Sequence, residues 1–210
     1  MENDYSQLIK KVMNSEIDAL QNVEKNIDPS FNTIVDAVLH CEGKIVFMGV
    51  GKSGHIGKKL AATFASTGTP SFFVHGTEAI HGDLGMVEKK DLVIAISNSG
   101  ETQEVLAPIP SLRRIGSKII ALTGNKNSTL AKASDLVLMV KVNHEADDFN
   151  LAPSNSSTAA LVVGDAIGLT VSHLKGFQEK NFANFHPGGA LGRRLLNSDF
   201  RIHEKKVNEQ

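Results

Sequence analysis

Lys44-Ile45-Val46-Phe47-Met48-Gly49-Val50-Gly51-Lys52-Ser53-Gly54 joins an unbroken apolar run to a glycine-rich turn. The run shows no polar alternation, which is the pattern of a strand buried on both faces of a parallel sheet. A helix-length segment, Gly54–Ser66, follows. Moving outward, the same unit recurs. Further apolar runs lie at Ser71–Val74, Leu92–Ile96, Ile119–Leu122 and Leu136–Val140, with helix-length segments at Thr102–Ile115 and Ser128–Ala133. Alternating β and α units with right-handed crossovers predict an α/β fold, a three-layer doubly wound parallel sheet of five strands. The expected strand order is 2-1-3-4-5.

Toward the N-terminus the period changes. Leu8, Val12, Ile17, Leu20 and Val23 recur at helical spacing until Asp28-Pro29 breaks the run, and a second helix is expected over Ser30–Cys41. Residues 1–43 therefore read as N-terminal helices packing on a core domain at 44–196, with a flexible tail at 197–210. After the last strand come a polar loop, Lys141–Ser156, and a small-residue helix, Ser157–Leu174, apolar on nearly every face. Such a helix needs cover on all sides, part of it from another subunit. A loop-rich segment containing His186-Pro187-Gly188-Gly189 ends the core.

Composition narrows the function. The 210 residues carry a net charge of −1, and residues up to Gly43 hold three lysines against eight acids. Neither nucleic-acid binding nor membrane attachment fits that balance. The single cysteine, Cys41, allows no internal disulfide, and Met1–Asp4 opens with acids where a leader would carry bases. The expected compartment is the cytoplasm.

Two turns stand out, Gly49–Gly54 and Ser97-Asn98-Ser99-Gly100-Glu101-Thr102. Both leave a strand and enter a helix, the place where open parallel sheets bind ligands. Glycine lets the main chain approach an anion, and the helix start presents free N–H groups. Lys52 adds a full charge, and Gly51, Ser53, Ser97, Asn98, Ser99 and Thr102 add space and donors. The first turn matches the dinucleotide pattern G-x-G-x-x-G, but the second strand ends in His75 where a ribose-binding acid belongs, with Glu78 further on. A Walker A loop needs glycine at position 46, where Val46 stands. Either turn alone also fits a plain helix cap. Together they fit one phosphate with a short polyol.

These residues carry a resemblance. Ser97–Thr102 resembles the phosphosugar-binding motif of the SIS (sugar isomerase) domain family, whose fold is flavodoxin-like. Gly49–Gly57, Glu78–Met86 and Phe185–Gly192 are similar to segments of bacterial arabinose-5-phosphate isomerase domains. The resemblance implies reversible conversion of D-ribulose 5-phosphate and D-arabinose 5-phosphate through an enediolate. It also implies a supply of arabinose 5-phosphate to Kdo synthesis for lipopolysaccharide or capsule, and a homotetramer with sites at subunit interfaces. Members typically continue into paired CBS domains, so a chain ending near residue 210 implies a short form. Feedback by CMP-Kdo on the isomerase domain itself follows as an expectation. The loop Ala146-Asp147-Asp148-Phe149-Asn150 departs from the family, replacing a Cys-Pro turn.

Enediolate chemistry calls for an acid–base pair and needs no metal or organic cofactor. Glu145, on the ligand side after the last strand, matches a functional position of the family and is the first candidate for the base. Glu104, in a first helical turn, is the alternative base or an orienting group, and Glu101 reads as structural. His186 suits ring opening or proton shuttling, supplied to a neighbour's site. Lys52 suits phosphate or enediolate charge. His55 is expected at the phosphate loop. His75 and His81 are expected to contact substrate or an interface, with inhibitory zinc as a side effect. The rival functions are a hexulose 6-phosphate isomerase and a non-catalytic sugar-phosphate sensor.

Overall fold

A computed structural model of the chain describes residues 5–188. Positions 189–192 of the last motif, the end of the expected core domain and the tail at 197–210 lie outside the described residues. Strands β1 (Ile45–Gly49), β2 (Ser71–His75), β3 (Leu92–Ile96), β4 (Lys118–Thr123) and β5 (Leu136–Met139) form one sheet. Every pairing is parallel. The order is β2-β1-β3-β4-β5, as the alternation of strands and helices predicts.

Successive side chains of a strand point to opposite faces, and the core divides accordingly. Ile45 and Phe47 of β1 join Ile94, Ile120 and Leu138 on one face. Val46 and Met48 join Val93, Ile119 and Ala121 on the other. The first face is covered by α1 (Ser6–Lys25), α2 (Ser30–Leu39), α3 (Gly51–Ser66) and α8 (Asn155–Leu174). The second is covered by α4 (Gly76–Ala79), α5 (Gln103–Leu106), α6 (Ile109–Ile115) and α7 (Thr129–Ala133). A final helix, α9 (Glu179–Phe185), occupies part of the segment expected to be loop.

Three local differences from the sequence reading bear on the site. Helix α3 begins at Gly51, not Gly54, with Gly51 itself at φ +54°, a left-handed value that favours glycine. Lys52 and Ser53 therefore sit in the first helical turn. The helix expected over Thr102–Ile115 is two pieces, because Pro108 lacks an N–H and starts the second piece as the N-cap of α6. Helix α8 begins at Asn155, two residues before the expected start.

Helices α3 and α8 pack closely. Leu60 and Phe64 of α3 press on Gly164 and Gly168, where a Cβ would lie 2.5 Å from each methyl or ring. The Phe64 ring also meets Phe47 edge-on, with centroids 5.0 Å apart. By length and composition α8 could cross a membrane, but Ala159, Ala160, Val163, Ile167 and Val171 are buried in the core. Val162, Leu169 and Leu174 are exposed. Helix α1 lies along α8 through Ser15, which accepts from Asn155 Nδ2 at 2.9 Å, and Glu16, which accepts from Thr158 at 2.9 Å.

Candidate active site

The carboxyl ends of β1, β3, β4 and β5 open on a cavity of about 450 Å³. The β1–α3 turn contributes Lys52 and Ser53, and the β3–α5 turn contributes Asn98, Ser99 and Thr102. Lys52 is exposed and has no carboxylate partner among the described residues. The N–H groups of Gly51, Lys52 and Ser53 precede the first intrahelical bond of α3, Gly54 N–H to Val50 O at 2.9 Å. A helix of 16 residues thus points the positive end of its dipole at the cavity, beside the Lys52 ammonium group.

The second turn is organised from within. Ser97 is buried, and its hydroxyl meets the Thr102 hydroxyl at 2.9 Å and accepts from Gly100 N–H at 3.0 Å. Ser97 therefore shapes the turn, while Asn98, Ser99 and Thr102 face the cavity. Gly100, at φ +69°, sits where a Cβ would collide with Ser128 Oγ, so the turn closes onto the cap of α7. Glu101 anchors the same contact by accepting from Thr129 N–H at 2.8 Å.

Glu145 lines the same cavity and is the only acid among its described lining residues. Its carboxylate accepts from Ser154 N–H at 2.9 Å, Ser156 N–H at 3.1 Å, the Ser154 hydroxyl at 3.3 Å and the Ser156 hydroxyl. Partial burial pushes the carboxyl pKa up, but these hydrogen bonds outweigh it and hold it below the ordinary carboxylate value.

Several expected residues stand elsewhere. Glu104 is exposed in the first turn of α5 and outside the cavity lining. Its main-chain carbonyl crowds Gly76, where there is no room for a Cβ. His75 ends β2 beside Gly49, with Nδ1 buried and unpartnered. His81 follows α4, and His55 is exposed on α3; neither lines the cavity. Among the described residues no group of three His, Cys, Asp or Glu side chains is placed to hold a metal. His186 caps α9, with its ring stacked on Phe182 at 3.8 Å between centroids and Nδ1 donating to the Phe182 carbonyl at 2.9 Å. It too lies outside this cavity.

The sequence reading missed Thr123, Asn143, His144, Ser156 and Ser157, which line the cavity. Thr123 ends β4, and the others come from the β5–α8 loop and the first turn of α8. Position beyond a strand's carboxyl end was the available signal for Thr123. The others depend on a loop path that local sequence does not encode.

A cation at a helix start, a hydroxyl-lined turn and a carboxylate line one cavity at the carboxyl end of a doubly wound sheet. The SIS domain model matches residues 38–169. The chain belongs to the SIS domain family. It is 52% identical over 193 residues to the arabinose 5-phosphate isomerases KdsD of Shigella flexneri and Escherichia coli K12, covering 92% of this chain and 59% of each relative. The chain thus spans about three fifths of those relatives' length. A solved structure of c3406 from Escherichia coli CFT073 in complex with arabinose 5-phosphate superposes with a TM-score of 0.87 at 54% identity, covering 89% of this chain and all of that one.

Proposed function

We propose that the chain interconverts D-ribulose 5-phosphate and D-arabinose 5-phosphate through an enediolate. The observation that carries this reading is that Glu145 lines the same cavity as Lys52 and the β3–α5 turn. The phosphate binds between Lys52, Ser53 and the Ser99–Thr102 turn, as a charge-assisted contact to ammonium and N–H groups. The sugar carbons then extend toward Glu145, which takes the proton from the carbon beside the carbonyl. The names of the relatives and the arabinose 5-phosphate complex of the c3406 chain agree with this substrate.

Glu104 is the alternative base, or orients the polyol. His186 opens the sugar ring from a neighbouring subunit, and the apolar residues exposed along α1 and α8, among them Leu8, Val12 and Leu169, support a homotetramer. His75 and His81 belong to that shared side of the site. The enzyme acts in the cytoplasm, supplies Kdo synthesis and is inhibited by CMP-Kdo.

The test is turnover of ribulose 5-phosphate in heavy water. Aldose should form, with deuterium entering C2. Turnover of a hexulose 6-phosphate with ribulose 5-phosphate inert would replace the substrate. Phosphosugar binding without exchange would make the protein a sensor. Absence of inhibition by CMP-Kdo at saturating concentration would remove it as a regulator.

A further inference from the structure

We propose that Ser156, in the first turn of α8, is a positioning residue that commits Glu145 to proton transfer through its Oε1 atom. The inference rests on the isomerase reading above. The two oxygens of Glu145 are not equivalent. Oε2 accepts three hydrogen bonds, from Ser154 N–H, Ser156 N–H and the Ser154 hydroxyl. Oε1 accepts one, from the Ser156 hydroxyl. A carboxylate oxygen with three donors has no lone pair left for a sugar proton, whereas Oε1 keeps one.

Ser156 is the decisive serine. The single Ser154 hydroxyl proton also has the Ala152 carbonyl in reach, at 3.0 Å. Its bond to Glu145 is therefore divided. The Ser156 hydroxyl has no other acceptor among the described residues, and the residue as a whole is 7% exposed. The arrangement exceeds ordinary helix capping. The N-cap, Ser154, makes no side-chain cap bond to its own helix, and Glu145 takes the N–H groups at the helix start from nine and eleven residues upstream.

The main chain of Glu145 is fixed on both sides as well. Its N–H donates to Asn150 Oδ1 at 2.6 Å, with Asn150 at φ +57°, a left-handed conformation that asparagine tolerates. Its carbonyl accepts from His144 Nδ1 at 2.9 Å. These contacts hold the carboxylate with its two oxygens in different surroundings. In the reaction the C2–H bond of the aldose breaks, its electron pair enters the C1–C2 enediolate, and the proton bonds to Oε1. That proton, or one exchanged for it from solvent, is delivered to C1 to give the ketose, while the hydroxyl proton passes from O2 to O1.

The experiment compares Ser156→Ala, Ser156→Thr and Glu145→Gln with the unaltered chain by pH profiles of kcat and kcat/KM. Ser156→Ala should lower kcat by about tenfold to hundredfold, less than loss of the base itself, with KM nearly unchanged. Loss of the donor raises the Glu145 pKa, so the acid limb should move to higher pH. Ser156→Thr, which keeps the hydroxyl, should restore both. Ser156→Cys, nearly isosteric with a weak donor, gives the same readout if Ala destabilises α8. A fall in kcat with the acid limb unmoved makes Ser156 merely structural and overturns the inference. So does an unchanged kcat. If Glu145→Gln retains turnover, the base assignment itself fails, a distinct result.

Discussion

The side chains inside the cavity and the candidate side chains outside it differ in how they are held. Inside, Glu145 is bound by four hydrogen bonds, and the Thr102 hydroxyl meets Ser97. Outside, Glu104 is exposed with no partner among the described residues, and His75 keeps a buried Nδ1 unpaired. A buried imidazole nitrogen without a partner is costly unless a ligand or another chain supplies one. The contrast teaches that the residues lining the cavity are held within one chain, whereas the proposed assembly would have to supply partners to the candidates outside it.

The strongest way to break that division is to remove one group from each half. Glu145→Gln should lower kcat by about 10²–10⁴-fold, the range for a general base, measured as ketose–aldose conversion. His186→Asn should lower it comparably for the cyclised aldose. Refolding the two variants together should then recover turnover that neither shows alone, because some sites combine an intact Glu145 with a neighbour's intact His186. Recovery no greater than the sum of the two parents would place both residues in one chain's site.

A smaller effect sharpens the inner half. Lys52→Gln should weaken phosphosugar binding by about tenfold to hundredfold, the loss of one charge-assisted contact of about 1.5–3 kcal/mol. The effect should appear in KM and shrink at high salt. Gly100→Ala tests the turn itself. Its φ of +69° and the contact with Ser128 leave no room for a methyl. A stability loss of about 1–3 kcal/mol is expected in urea unfolding, with KM raised because Ser99 and Thr102 move.

The smallest effect concerns pH. The Glu145 pKa lies below its ordinary value of 4.5 in the folded chain. Its hydrogen bonds therefore stabilise the fold fully above that value and fade as pH falls through the lowered pKa. The Tm difference between the unaltered chain and Glu145→Gln should be largest near neutrality and close on acidification below 4.5. A difference that widens in acid would contradict the hydrogen-bonded carboxylate.

The sheet was legible because strands buried on both faces, such as Leu92–Ile96, have no other use for five apolar residues in a row. Both turns were legible because glycine and hydroxyl residues at a strand's end serve few purposes. The clamp on Glu145 was not. It depends on α8 starting at Asn155, whereas apolar periodicity begins only at Ser157. Ser156 then reads as loop, and its role as a donor from a first helical turn disappears. The break at Pro108 failed for the opposite reason, since the apolar pattern of Val105, Ile109 and Leu112 continues across it. The Asp147–Leu151 turn follows from three main-chain N–H groups accepted by one Asp147 carboxylate, a path that no periodicity announces.

The packing of α3 on α8 has a mechanical meaning. The helix that begins with Lys52 and the helix that clamps Glu145 behave as the two arms of a caliper, closed where Leu60 and Phe64 sit against Gly164 and Gly168. The tip of the second arm lies about 13 Å from Gly164 at 1.5 Å per residue. The width of the cavity is therefore set deep in the core, and a single methyl added there would change the gauge of a site it never touches.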